Sequence, residues 1–244
     1  MEIKKYKYLG SSKYKIFIDD EEYIIYEDII VKNNILLKKE ITKEELEFYL
    51  KENTYYEALY KSIKYIGIKM RSKKELIKYL SKTYDKLVVD KVIVYLVNNN
   101  LINDRVYVRA YINDSINLKN IGPFKIEKEL VNMDIDKDII INELDIYTKD
   151  IELEKIGKII EKEIKLNRNK SLYMLKTKIM YNLINLGFHR EYIDIVLNDI
   201  SIDDKDIYKK EYDKLYKKLC NKYDKDKLDY IIKQKLYQKG FRKE

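Results

Sequence analysis

Hydrophobic and polar positions alternate near the amino terminus and then settle into a helical period. Lys13-Tyr14-Lys15-Ile16-Phe17-Ile18 alternates with period two, and Tyr23-Ile24-Ile25-Tyr26 with Ile29-Ile30-Val31 is β-branched and aromatic. With Asp19-Asp20-Glu21-Glu22 between them as the turn, the pattern predicts a small antiparallel β-hairpin. Thr42 and Glu45 then stand three apart as a capping box, opening a helix through Leu46 and Leu50. Everything beyond reads as helix.

The helical part repeats. Leu80, Leu130, Leu183 and Leu236 are 50, 53 and 53 residues apart, each ending a similar amphipathic stretch, and Ile135, Phe188 and Phe241 follow the last three by five residues. The first repeat carries three apolar stripes: Leu59, Ile63 and Ile66; Leu76, Ile77 and Leu80; Val89, Val92, Ile93 and Leu96. Helix starts are marked by Ser72 with Glu75, by Asp104, and by Pro123 after Gly122. The expected fold is therefore mainly α: tandem three-helix repeats in an elongated, curved array behind the hairpin. The divisions fall at 1–54 (hairpin and linking helix), 55–104, 105–150, 151–200 and a partial fourth repeat at 201–244.

Composition narrows the class. Apolar residues make up 45% and charged residues 38% of 244, with one Pro and six Gly, which disfavours collagen, low-complexity disorder and a loop-rich sandwich. Cys220 is alone, so no intramolecular disulfide is available. No apolar run long enough to span a bilayer occurs, and the first residues lack a secretory apolar segment, so a soluble cytoplasmic chain without membrane contact is expected.

Charge points to a polyanion partner. The net charge is +8, concentrated as +5 in residues 55–104 and +5 in 201–244, against −2 in the first 54. Residues 61–82 hold eight basic groups with Glu75 as the sole acid; Lys74, Lys78 and Lys82 follow at i, i+4 and i+8, flanked by Arg71 and Lys73. Such a row suits phosphates or an acidic protein, although a solvated helix face accounts for the same spacing. Lys119, Lys125 and Lys128 repeat the theme weakly, as do Lys227, Lys233, Lys235 and Lys239. Only six basic residues are Arg, so nucleic-acid contact is expected to be sequence-blind. The 25 tyrosines invite base stacking, but Tyr107, Tyr111, Tyr212 and Tyr216 sit at helical core spacing and are expected in the core.

Signals for catalysis are sparse. Neither a dinucleotide fingerprint nor a phosphate loop occurs. His189, the only histidine, lies at a helix entry and reads as a surface or capping residue; Cys220 reads as packing. Asp134, Asp136 and Asp138 mimic the opening of a calcium loop, but Ile139 and Asp145 occupy the positions that need Gly and Glu, so helix capping is the better reading. No enzyme activity, cofactor or metal is expected.

Four segments in order carry a resemblance: Met70-Arg71-Ser72-Lys73-Lys74-Glu75-Leu76; Leu101-Ile102-Asn103-Asp104 with Tyr107, Ala110 and Tyr111; Gly122-Pro123-Phe124-Lys125-Ile126 with Glu129-Leu130; and Leu183 to Gly187-Phe188. They resemble the RecX family, modulators of the RecA recombinase, and the acidic amino-terminal segment is similar to the extension of its longer, Gram-positive-type members. Asp134 stands where the family usually has Gly, and Ser115 where a basic residue is common, which lowers the expected cationic surface of the second repeat. The resemblance implies a monomer that lies along a RecA filament on single-stranded DNA and lowers its ATP hydrolysis, strand exchange and coprotease activity. The contacts are then expected from Arg71, Lys73, Lys74, Lys78 and Lys82, and from Arg105, Arg109, Lys125 and Lys128, with duplex DNA bound non-specifically at most. The alternatives are an autonomous helix-turn-helix repressor and a repeat scaffold for an unrelated acidic protein.

Overall fold

The computed structural model describes residues 1–167 and 169–242. Two compact units divide the chain, Met1–Tyr107 and Val108–Glu244.

The first unit opens with β1 (Ile3–Gly10), β2 (Lys13–Ile18) and β3 (Glu21–Tyr26), an antiparallel meander in that order. The hairpin thus gains a third strand. In β1 the alternation is Lys with Tyr and nearly every side chain is exposed, so the strand carries no apolar signal. Ser11 and Ser12 turn between β1 and β2 with φ of 52° and 56°, the left-handed pair that matches strand twist. The second turn is only Asp19-Asp20, because Glu21 and Glu22 already pair with Ile18 and Phe17. Ile29-Ile30-Val31 is not strand but belongs to α1 (Glu27–Lys32), where adjacent Ile29 and Ile30 are both buried.

After a short 3-10 turn, α2 (Lys43–Ile68), α3 (Lys73–Leu80) and α4 (Lys86–Asn98) follow. The capping box at Thr42 and Glu45 forms as expected. At 26 residues, α2 is about 39 Å long and serves two cores. Its first half closes on the sheet through Leu46 and Tyr49, against Ile16, Ile18, Ile25 and Ile30. Its second half packs Ala58 and Leu59 against Leu76, Leu80, Val92 and Leu96. The helix runs unbroken through residue 54, so no linker separates the sheet from the first helical repeat. Asn53 fastens the two: its Oδ1 accepts from Tyr26 N at 2.9 Å, and its Nδ2 donates to Ile24 O at 2.8 Å. Asn53→Ala leaves the second half of β3 without this clamp and costs about 1 kcal/mol. A thermal melt should show a loss of about 2–4 °C.

α5 (Asp104–Leu118) begins in the first unit and continues in the second. The second unit then contains α6 (Pro123–Val131), α7 (Lys137–Leu144), α8 (Lys149–Leu166), α9 (Leu172–Asn185), α10 (Arg190–Asn198), α11 (Lys205–Leu219) and α12 (Lys225–Gln238). The four spaced leucines are all buried, as are Ile135, Phe188 and Phe241 five residues later. Between each pair, four residues after the leucine, the backbone turns left-handed: Asp134 (φ 57°), Gly187 (φ 83°) and Gly240 (φ 80°). The two glycines close Schellman-type caps, with Phe188 N on Leu183 O at 3.2 Å and Phe241 N on Leu236 O at 3.1 Å. Asp134 therefore holds the same backbone role as Gly187, a conformation Asp tolerates better than most side chains.

The left-handed turns are also joints. Gly122 N donates to Leu186 O at 2.7 Å and Phe124 N to Gly187 O at 3.1 Å, seating the start of α6 on the end of α9. A Cβ on Gly122 would lie 2.3 Å from Gly187 O, and one on Gly187 would lie 2.3 Å from Lys125 N. The same arrangement recurs one repeat later, where Ser171 Oγ, capping α9, donates to Lys239 O at 2.7 Å.

Candidate functional site

The basic cluster is organised by the entry to α3. Ser72, fully buried, accepts from Glu75 N at 3.2 Å through Oγ, and Glu75 Oε2 accepts from Ser72 N at 3.0 Å. Leu76 and Leu80 bury one side of α3, leaving Lys74 and Lys78 on the opposite side at about 100° per residue. Lys73, Lys74, Lys78 and Lys82 are all exposed. Lys73, Lys78 and Lys82 have no ion-pair partner among the described residues. The helix ends at Leu80, however, so Lys82 lies in the turn after Ser81 and is not a third step of a helical row. Two lysines in the first turn of a helix oppose its dipole, with Glu75 the only acid there to offset them.

Arg71 is placed differently from its neighbours. Its side chain is only 16% exposed, with Nη1 3.4 Å from Glu75 Oε1. The guanidinium lies 4.2 Å from the Tyr65 ring centroid, and Tyr65 in turn stacks on Tyr79 at 4.1 Å and 6°. The stack ties the end of α2 to the start and end of α3. Arg71 is thus held against Tyr65 and Glu75 beside the exposed lysines. Nothing in the spacing of Tyr65 and Tyr79, fourteen apart, announces that platform.

Beside the stack lies an open groove of about 550 Å³, lined by Ile63, Ile66, Met70, Leu101, Ile102 and Val106 with Arg71 in its wall. Lys64 and Lys69 are exposed nearby in sequence, and Arg105 is exposed in the first turn of α5.

Basic residues of the second unit are more heavily engaged. Arg109 Nε stands 3.9 Å from Oε2 of the buried Glu143. Lys125 is half-buried, its backbone under Gly187, whereas Lys128 is exposed. Lys119 covers the Tyr111 ring at 4.0 Å and donates to its hydroxyl at 3.0 Å, and that hydroxyl also meets Glu129. Burial and then Glu129 push the Tyr111 hydroxyl far above its ordinary range, so it stays protonated. Ser115 is fully buried, its Oγ donating to Tyr111 O at 2.7 Å, so its own side chain adds nothing to the surface.

Other expected residues resolve locally. Asp136 caps α7, its Oδ1 accepting from Asp138 N at 2.8 Å. His189 is the first residue before α10 but makes no side-chain cap; its Nδ1 lies 2.8 Å from Oε2 of Glu152, a carboxylate only 2% exposed. Among the expected core tyrosines, Tyr216 is on the surface, 48% exposed. Among the described residues no helix is long and apolar enough to cross a membrane, and no group of three His, Cys, Asp or Glu could hold a metal ion.

Comparison with known proteins decides the family. No protein-family model matches the chain. The regulatory protein RecX of Lactococcus lactis subsp. lactis (strain IL1403) is 31% identical over 252 residues, covering 98% of this chain and 92% of its own length. The chain belongs to the RecX family. The RecX of Bacillus cereus (strain AH820) is 30% identical, with 95% of this chain and 90% of the relative covered. A crystal structure of regulatory protein RecX matches in fold with a TM-score of 0.71 at 19% identity, over 82% of this chain and 100% of that one. The motifs around Arg71, Asp104, Pro123 and Phe188 are thus read within a RecX chain, and each of the four regions forms a helix start or a joint.

Proposed function

We propose that this RecX-family chain regulates the RecA recombinase, chiefly as an inhibitor, by occupying the RecA filament on single-stranded DNA. Occupancy lowers ATP hydrolysis, strand exchange and coprotease activity, and the chain performs no chemistry of its own. The observation that carries this reading is its relation to regulatory RecX proteins over nearly its full length. The exposed Lys73, Lys78 and Lys82, which have no ion-pair partner among the described residues, support it as a face for phosphates or acidic side chains.

In this reading Lys73, Lys74, Lys78 and Lys82 make the principal contacts, with Arg105, Arg109, Lys125 and Lys128 adding to them and Arg71 holding α3 in place. The repeats at 55–104, 105–150, 151–200 and 201–244, behind the segment at 1–54, act as successive weak binders on one polymer. Linking them multiplies affinity through effective concentration. The chain acts as a cytoplasmic monomer.

Titrating the protein into RecA, single-stranded DNA and ATP should lower hydrolysis in a saturable way. Unchanged hydrolysis at several-fold excess over RecA would remove the proposal.

A further inference from the structure

The α3 face leaves one strongly basic region unused, the last helix. The buried side of α12 is Leu228, Ile232 and Leu236. At about 100° per residue, Lys227, Tyr230, Gln234 and Tyr237 fall together on the opposite side. Tyr230 is 67% and Tyr237 62% exposed. Their hydroxyls make no hydrogen bond among the described residues. Seven residues separate them, about 10.5 Å along the axis.

The row continues at both ends. Before α12, Lys227 sits over the exposed Tyr223 ring at 5.9 Å. After it, Arg242 lies 5.7 Å from the Tyr237 ring and 3.8 Å from that of Tyr173, itself exposed on α9. Acidic side chains are confined to the start: Asp224 caps the helix, Asp226 is in the first turn, and Asp229 is paired with Lys233 at 2.6 Å. From Tyr230 to Arg242 the sequence holds no acid; Lys235 and Arg242 are basic there, as are Lys233 and Lys239, the latter paired with Glu211 of α11 at 2.5 Å.

Single exposed aromatics are ordinary, but a row of rings on one helix face with a cation at each end, Lys227 and Arg242, combines two requirements of one ligand class. Cations hold a phosphate backbone, and ring faces accept unstacked bases. A duplex hides its base faces, and an acidic peptide has none to offer.

We propose that the outward face of α12, with Tyr230, Tyr237 and Arg242 at its centre, is a stacking site for single-stranded nucleic acid, independent of α3 and of RecA. Recognition there is sequence-tolerant, since every base has a π-face.

Fluorescence anisotropy with a labelled oligothymidylate of about 20 nucleotides, in the absence of RecA, tests this site. Tyr230→Ala with Tyr237→Ala should weaken binding by about tenfold or more, whereas the Phe pair, which keeps both rings, should stay within about twofold. The same chain should bind a duplex of equal length more weakly. Full binding by the Ala pair, or equal duplex affinity, would overturn the site. So would a change in sedimentation on removing the rings, which would assign the face to a second copy of the chain. If the Ala pair loses helicity, photo-crosslinking of the unaltered protein to a bromodeoxyuridine oligonucleotide decides: adducts in 223–242 support the site, and adducts confined elsewhere reject it. RecA hydrolysis, measured on the same preparations, reports separately on the regulatory reading.

Discussion

Gly187→Ala lowers the melting temperature of the chain by about 10 °C. Two costs act together. The native φ of 83° is left-handed, a conformation that costs an L side chain about 1–2 kcal/mol. The added Cβ also meets Lys125 N at 2.3 Å, and that atom is backbone at the start of α6, unable to rotate away. Forcing the joint apart adds about 1–3 kcal/mol and loosens the hydrogen bonds from Gly122 N and Phe124 N. Gly122→Ala meets Gly187 O at the same 2.3 Å but with φ of −91°, so it shows the clash without the left-handed strain and should lose less. Gly157→Ala, inside α8 with open space around its Cβ, should raise stability by about 0.5–1 kcal/mol. Three identical changes with graded and opposite effects separate joint geometry from helix propensity; equal melting temperatures for all three would reject the joint.

The contrast among these glycines shows what the chain makes legible and what it does not. Leu80, Leu130, Leu183 and Leu236 declare the repeat because a buried position recurs whenever the same helix docks on its neighbours. The capping boxes at Thr42 and Ser72 are equally plain, since each is local to four residues. Gly122 and Gly187 read as helix punctuation; their contact with each other is tertiary and spans 65 positions. β1 is silent because its side chains face outward, and Ile29-Ile30 mislead because two adjacent buried β-branched residues fit a strand between layers as well as a short helix wedged under a sheet.

At the basic face the same rule decides residue by residue. Lys73 and Lys78 are exposed as their helical positions require. Arg71 looks equivalent in sequence, yet Tyr65 and Tyr79, brought in from α2 and the far end of α3, draw it inward. Its charge is spent on a ring and on Glu75, which is why Arg71→Lys is not conservative here: lysine lacks the planar group that stacks.

Reversing Lys73, Lys78 and Lys82 to Glu together raises the concentration needed for half-inhibition of RecA hydrolysis by about 100-fold at low salt. Each exposed pair contributes roughly 0.5 kcal/mol, and reversal both removes an attraction and installs a repulsion, giving about 3 kcal/mol for three sites. The fold tolerates the change, because all three side chains are exposed and have no ion-pair partner among the described residues. Lys73→Glu even places an acid in the first turn of α3, where the dipole favours it. The variant should therefore melt with the unaltered chain while losing its effect, and the loss should shrink as salt screens the face. Lys74 is left in place because it already has a partner, so its replacement would mix a structural cost with a binding one. A triple variant that melts normally and still inhibits at the original concentration would detach the α3 face from the filament while leaving the regulatory reading to the titration with RecA.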